Sequence, residues 1–177
     1  TEINEVEDNI CRAAAKIEEI MRRNDWIYTE PSRFTHYQLA VDIGASPGGW
    51  TSFLSQSVYA ELILSVDRGD LLIPPPRSSK IVYWQVHGEE AIDRLRSIHQ
   101  GSNSTTIDRQ EDLLSRKIDL FCCDANISPY HSIQFLFTCK EHNLLASNGR
   151  FIITFKNVFG RKDEWETGMS ECLKKLD

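Results

Sequence analysis

Residues 41–51 have the sequence Val-Asp-Ile-Gly-Ala-Ser-Pro-Gly-Gly-Trp-Thr, which limits the possible folds more than any other part of the chain. The run from Leu39 to Ile43 is apolar except for one carboxylate near its end, which is typical of a buried parallel strand. Glycines and a proline follow, and helical spacing resumes at Trp50. A strand, a tight turn and a helix in this order border a ligand crevice at the carboxyl edge of a parallel sheet. The motif therefore predicts an α/β fold with a binding site beside it.

The rest of the chain alternates between the periods of strands and helices. Further strands are predicted at 62–67, 81–85, 117–124 and 150–156, and helices at 3–24, 89–99, 132–145 and from 163 onward. Asn148 and Gly149 are expected to end the helix at 132–145. An extended loop at Pro74 to Pro76 and a flexible surface loop at 101–112 separate some of these elements. We therefore predict one domain over 1–177, in which a helix and connection at 1–36 precede a mostly parallel sheet with helices on both faces at 37–177.

Composition and charge limit the class of protein. The chain has 177 residues, 41% of them hydrophobic, and no apolar run approaches the roughly 20 residues of a membrane span. Five cysteines without a C-x-x-C pair suggest neither a disulfide framework nor a metal site, so we expect a reducing, intracellular compartment. A net charge of −6 is unfavourable for binding nucleic acid, so any RNA contacts should be local or lie on another domain or partner.

The pattern D-x-G-x-x-P-G-G-W resembles the first motif of the FtsJ-like 2′-O-methyltransferases, which bind S-adenosylmethionine (SAM) in a Rossmann-like domain. Gly44 suits the sharp exit from the strand, Pro47 the first turn of the next helix, and Gly48 and Gly49 a close approach of a ligand. A dinucleotide fingerprint would be G-x-G-x-x-G, which disfavours an NAD-dependent oxidoreductase. The resemblance implies that the cofactor is bound by Asp42, Gly44, Ala45, Ser46, Pro47, Gly48, Gly49 and Trp50.

Three further acids complete the predicted cofactor site. Asp67 ends the second strand, where a carboxylate commonly accepts both ribose hydroxyls, and Asp70 is the alternative if the loop is placed differently. Glu89 matches the position of the family's adenine-binding acid, although it could equally begin a helix, where a carboxylate favours the dipole. Asp124 ends the fourth strand, beside the expected crevice.

The same resemblance implies a catalytic group of Lys16, Asp124 and Lys156. Residues 11–19 resemble the family's S-R-A-x-x-K-L-x-E segment, whose lysine corresponds to Lys16. Residues 149–163 resemble its G-G-x-F-V-x-K-x-F motif, with Lys156 at the catalytic lysine and Phe159 at the later phenylalanine. Lys156 is expected to take the proton of the ribose hydroxyl, with Lys16 as the neighbouring cation and Asp124 orienting the amine. Solvated lysines at positions 16 and 156 are the alternative.

These residues predict a SAM-dependent 2′-O-methyltransferase acting on RNA, with ribosomal RNA as the expected substrate and messenger RNA cap ribose as the rival. In the resembling family the catalytic group has a fourth member, a glutamate on a strand well beyond the lysine motif. No such strand is found in the sequence of residues 1–177, and two strands of the family's usual seven-stranded sheet are also missing from it. We therefore expect either that the sequence is truncated at its carboxyl end or that the protein lacks these strands and has lost the activity. A SAM-binding scaffold or RNA-binding module without catalysis is the alternative function.

Overall fold

A computed structural model describes residues 2–24, 26, 36–56, 60–73, 79–101, 113, 116–158 and 160–176, without the side chains of 2–9 and 11. The predicted loops at Pro74 to Pro76 and 102–112, and the position of Phe159, lie outside these residues. The helices are α1 (Glu2–Arg23), α2 (Gly49–Gln56), α3 (Gly88–His99), α4 (Pro129–Glu141) and α5 (Lys162–Lys174). The strands are β1 (Tyr37–Ile43), β2 (Ala60–Val66), β3 (Ile81–Trp84), β4 (Ile118–Cys123) and β5 (Leu145–Ile153). No helix among the described residues is long and apolar enough to cross a membrane.

The described strands form one five-stranded sheet in the order β3-β2-β1-β4-β5. Every neighbouring pair is parallel; in register, Ile43 lies opposite Val66 of β2 on one side and Cys123 of β4 on the other. The chain runs from β1 outward to β3 and then returns to the other side of β1. Such a reversal opens a crevice at the carboxyl ends of the two central strands. The predicted α/β class and parallel sheet are confirmed.

Apolar side chains fill both faces of the sheet. On one face, α3 and α4 pack over Leu39, Val41 and Leu64. On the other, α1 and α2 contribute Ile17 and Leu54 to a second cluster. β1 is buried almost throughout because both of its faces are covered, which explains its nearly continuous apolar sequence.

The helix predicted at 132–145 differs from the structure at both ends. It begins at Pro129, since the Ser128 side chain caps it by accepting the His131 N–H and a proline fits the first turn. It ends at Glu141, and Asn143 adopts a left-handed φ of 54° just beyond. Asn148 and Gly149 therefore lie in β5, where the register against β4 shifts between Ile118 and Leu120, and they do not stop a helix.

Candidate active site

A cavity of about 510 Å³ opens at the carboxyl edge of the sheet, and its volume suits a cofactor-sized ligand. Its lining comes from successive strand ends: Gly44 and Ser46 after β1, Asp67 after β2, and Asp124 after β4. Apolar side chains, among them Phe135 of α4, form another part of the wall. The crevice expected from the glycine motif is therefore present, with carboxylates and apolar surface facing the same space.

The glycines of the motif are required for different reasons. Gly44 has φ 86°, and a Cβ there would lie 2.4 Å from the Ala125 nitrogen. Any larger residue would therefore clash with the backbone of the loop that follows β4. Gly48 has φ 129°, and its Cβ would meet Ile73 at 2.6 Å. A Cβ on Gly49 would lie 2.5 Å from that of Ala13. Space at positions 48 and 49 is therefore needed for packing of the protein on itself, and the approach of a ligand to these glycines stays a prediction.

Pro47 was predicted to lie in the first turn of α2, and this prediction is wrong. The helix begins two residues later, at Gly49. The Ser46–Pro47 peptide bond is cis, and the Pro47 carbonyl accepts the Leu72 N–H at 2.8 Å. Ala45 is buried and its N–H donates to the Val66 carbonyl at 3.2 Å. Trp50 is also buried, beneath Lys16. Of the motif, Ile43, Gly44 and Ser46 belong to the cavity lining.

Asp42 is fully buried and is not among the residues that line the cavity. Its Oδ2 accepts the Thr51 hydroxyl at 2.7 Å, and that hydroxyl lies 2.7 Å from the Ser65 Oγ. Among the described residues, its Oδ1 has no hydrogen-bond partner. Burial raises the pKa of Asp42 to about 7, against the hydrogen bond from Thr51, and the nearby Asp124 and Asp67 raise it further. Any role in cofactor binding would therefore act through the motif turn.

Asp67 lines the cavity, and its carboxylate is fixed by two backbone amides. Oδ2 accepts the Ser46 N–H at 3.1 Å, and Oδ1 accepts the Gly69 N–H at 2.8 Å. Each carboxylate oxygen keeps a further lone pair for a ligand. The alternative acid, Asp70, instead accepts a hydrogen bond from Gln85 at 3.1 Å and is not part of the lining. The geometry favours Asp67 for a ribose.

Glu89 lies both at the start of a helix and in the cavity lining, the two alternatives that the sequence left open. It lies in the first turn of α3, where its charge favours the helix dipole, and it also lines the cavity. The preceding Gly88 lies against the apolar wall, since a Cβ there would meet the Phe135 ring at 2.9 Å. An acid and an aromatic ring are thus brought to the same end of the cavity.

Lys16, Asp124 and Lys156 converge although they come from three distant parts of the chain. The Lys16 Nζ lies 2.8 Å from Asp124 Oδ1, and the Lys156 Nζ lies 2.7 Å from the same oxygen. The two lysine side chains are 39% and 30% exposed, so both amines remain accessible to a substrate. Asp124 also lines the cavity, which places the lysine pair at its border.

Thr154 is a member of this group that the sequence did not reveal. Its Oγ1 accepts a hydrogen bond from the Lys16 Nζ at 3.1 Å, and its N–H donates to the Cys123 carbonyl at 2.9 Å. Burial alone would raise the pKa of Asp124, but hydrogen bonds from Lys156, Lys16 and Thr154 outweigh it and lower the pKa. One polar residue in the apolar run Phe-Ile-Ile-Thr-Phe was the available signal.

The group of Lys16, Asp124, Lys156 and Thr154 carries two ammonium groups and one carboxylate. Its local charge is therefore positive although the chain as a whole carries −6. A local positive charge of this kind attracts an anionic group of a substrate. The arrangement can bind a phosphate or donate hydrogen bonds to a sugar hydroxyl, and an amine of the pair could accept the proton of that hydroxyl only in its neutral form.

Comparisons with known proteins agree with this fold. The uncharacterized protein MJ1257 of Methanocaldococcus jannaschii is 28% identical over 163 residues, or 91% of this chain and 38% of that protein. The chain therefore spans about two fifths of the length of this curated relative. Two solved structures, each called a "putative hemolysin", share the fold with a TM-score of 0.58. The one from Lactococcus lactis is 17% identical (93% of this chain and 71% of that chain covered), and the one from Streptococcus thermophilus is 18% identical (93% and 54%).

The family is shown by a match of most of the chain. The model of the family described as FtsJ-like methyltransferase matches residues 10–157, a segment that begins ahead of Lys16 and ends just after Lys156. On this match, together with the sheet and site described above, the chain belongs to the FtsJ-like methyltransferase family.

Proposed function

We propose that the chain binds SAM in the cavity and transfers its methyl group to a ribose 2′-hydroxyl of RNA, with ribosomal RNA as the first candidate substrate. The observation that carries the proposal is the position of Asp124, whose side chain both lines the cavity and holds the two lysines. Methyl transfer requires that the cofactor and the acceptor hydroxyl lie next to each other in a fixed orientation. A residue that belongs to both the cavity and the lysine pair meets this requirement.

The residues that line the cavity have the chemistry that the parts of SAM require. Asp67 presents a fixed carboxylate to the ribose, and Glu89 lies beside apolar wall residues suited to an adenine. Gly44 keeps the backbone open where any side chain would collide with Ala125. Cofactors of this class supply an electrophilic methyl group, so the protein has to bind, exclude water and aim the acceptor.

The chemistry that remains for the chain is the handling of one proton. Lys156 is the residue we assign to the 2′-hydroxyl, because its amine is at the cavity border and is partly exposed. Asp124 orients that amine at 2.7 Å, and Lys16, bonded to the same oxygen, keeps the carboxylate paired while Lys156 is neutral. Solvent can then take up the proton from Lys156.

An RNA substrate is supported by the contrast between local and overall charge. Two lysines at the site can contact a phosphate, whereas the remainder of an acidic chain would repel one. Messenger RNA cap ribose presents the same hydroxyl and remains the rival substrate. Cys122, Cys123, Cys139 and Cys172 are buried free thiols, which supports a reducing, intracellular compartment as part of the proposal.

A SAM-binding scaffold without catalysis is the second candidate. Among the described residues, the group around Asp124 contains no glutamate, whereas the tetrad of the resembling enzymes has one. Transfer of the methyl group would therefore depend on the lysines and Thr154, or on residues outside the described part of the chain.

The test combines cofactor binding with methyl transfer in one preparation. SAM binding is measured by calorimetry, and transfer of tritiated methyl to total RNA is followed by mapping of 2′-O-methylated positions. We expect Lys156→Ala to abolish transfer while SAM still binds. Lys162→Ala, which removes an 83% exposed lysine on α5, is the matched control and should retain transfer. Transfer at the wild-type rate by Lys156→Ala would refute its assigned role, and absence of SAM binding would refute the proposed function.

A further inference from the structure

The turn that carries Asp67 is held in place by hydrogen bonds. Residues 67–70 follow β2, and both Arg68 and Asp70 are exposed. Gly69 contributes no side chain. Residues 67–70 contain no apolar side chain that could anchor the turn in the core. The direction of the Asp67 carboxylate therefore depends on the polar contacts made to this turn.

Three consecutive residues at the end of β3 supply many of those contacts. The Trp84 carbonyl accepts the Asp67 N–H at 3.3 Å, which extends the pairing of β2 with β3. Tyr83 and Gln85, on either side of Trp84, share the opposite face because strand side chains alternate. Trp84 is therefore buried in the core, while its two neighbours reach the turn.

Gln85 bridges the outer part of the turn. Its Nε2 donates to the Arg68 carbonyl at 3.1 Å and to Asp70 Oδ1 at 3.1 Å. An amide with two donors can satisfy both acceptors at once, which fixes the spacing between residues 68 and 70. Gly69, whose N–H holds the Asp67 carboxylate, lies between those two residues.

Tyr83 holds the inner part of the same turn. Its hydroxyl donates to the Gly69 carbonyl and also lies 3.2 Å from the Asp67 carbonyl. On the opposite side, the Ser46 hydroxyl donates to the Asp70 carbonyl at 3.0 Å, and a Cβ on Gly69 would lie 2.8 Å from that hydroxyl. The turn is thus clamped between the glycine motif and β3.

We infer that Tyr83 and Gln85 are positioning residues that aim the Asp67 carboxylate at the ribose hydroxyls of the cofactor. The inference rests on the proposed function, since it assumes an adenosine-containing ligand in the cavity. Neither side chain is among the residues that line the cavity, so both act through the turn. Loss of the Gln85 contact would free the peptide between Arg68 and Gly69, whose N–H orients Asp67, and loss of the Tyr83 contact would free the peptides on either side of it. Either loss would weaken recognition of the ribose specifically.

The experiment compares two ligands that differ only in the ribose. Binding of S-adenosylhomocysteine and of its 2′,3′-dideoxy analogue is measured by calorimetry for the wild type, Tyr83→Phe, Gln85→Ala and the double variant. We expect each single change to weaken S-adenosylhomocysteine by about 3- to 10-fold, the effect of one or two hydrogen bonds. The dideoxy analogue, which has no hydroxyl for Asp67, should weaken by less than about 2-fold.

Matched controls separate positioning from general loss of structure. Gln56→Ala removes an exposed glutamine at the end of α2, and Tyr130→Phe removes the hydroxyl of an exposed tyrosine. Both should bind the two ligands as the wild type does. Asp67→Ala is the reference variant and should weaken only the ligand that carries the hydroxyls.

Each outcome decides the inference. Selective weakening of S-adenosylhomocysteine supports it. Equal weakening of both ligands would show a merely structural role for Tyr83 and Gln85, and wild-type affinity in both variants would exclude any role; either result overturns the inference and leaves the proposed function intact. A wild-type chain that binds neither ligand would refute the proposed function, and the inference with it.

Discussion

Replacing Asp42 with asparagine should remove a large pH dependence from the stability of the fold. Asp42 is fully buried, and its Oδ1 accepts no hydrogen bond from the part of the chain that the structure describes. Burial raises its pKa to about 7. In the unfolded chain the carboxyl ionises near pH 3.9. Between these values the folded protein holds a proton that the unfolded chain has released, so the free energy of unfolding falls as pH rises and levels off above about 7. Asparagine cannot ionise, so its variant lacks this contribution.

The magnitude follows from the interval in which only the folded state is protonated. The difference is about one proton at pH 5 and about half a proton at pH 7. At about 1.4 kcal/mol per proton and pH unit, the interval from pH 5 to 7 contributes about 2 kcal/mol in total. Asp124 acts in a different interval, because its pKa is lowered and its contribution is lost only as pH falls below its ordinary range. Burial and the nearby Lys117 lower the pKa of His99, so its contribution to the free energy of unfolding rises with pH. This contribution is the same in the wild type and in Asp42→Asn and cancels in the comparison.

Urea denaturation followed by tryptophan fluorescence at pH 5, 6, 7 and 8 measures this difference. The stability of the wild type relative to Asp42→Asn should fall by about 2 kcal/mol between pH 5 and 7 and by less than about 0.5 kcal/mol between pH 7 and 8. Asp93→Asn, on the exposed side of α3, is the control and should keep the wild-type slope. Wild-type and Asp42→Asn curves that differ by a constant amount at every pH would refute the reasoning, because Asp42 would then ionise as it does in the unfolded chain.

Two further changes test contacts of the site and of the helix beneath it. Thr154→Val removes the hydroxyl that accepts a hydrogen bond from the Lys16 amine and should lower the rate of methyl transfer by about 10-fold. Thr154→Ser keeps the hydroxyl and should retain most of the activity. Equal rates in the two variants would exclude a role of this hydrogen bond in the reaction. Gly49→Ala would place a Cβ 2.5 Å from that of Ala13 and should lower the free energy of unfolding by about 1–3 kcal/mol. Gly168→Ala on α5, with nothing within 4 Å, should instead raise it by up to about 1 kcal/mol, and a thermal melt that ranked the two alanine variants in the opposite order would contradict the packing argument.

Local sequence predicted the sheet because its strands are buried on both faces. Runs such as Leu62 to Val66 are apolar at successive positions, and each of the first four strands is followed by a polar or glycine-containing segment that ends it. Prediction failed around α4 and β5. There the helix end is set by the left-handed backbone of Asn143, and β5 carries a register shift and exposed residues that interrupt its period.

The sequence by itself determined the α/β class, the strand ends and the acids that follow them, because burial and turn chemistry act over a few neighbouring residues. Tertiary structure alone decided which polar groups meet. Lys16 reaches Asp124 across 108 residues only because α1 docks on α2 through the space left at Gly49. The polar residue Thr154 faces Lys16, and Tyr83 with Gln85 faces the Asp67 turn, only once parallel strands lie side by side. Such contacts join residues far apart in sequence. Only a family resemblance predicted that Lys16, Asp124 and Lys156 form a group, and no pattern in the sequence predicted the contacts of Thr154, Tyr83 and Gln85.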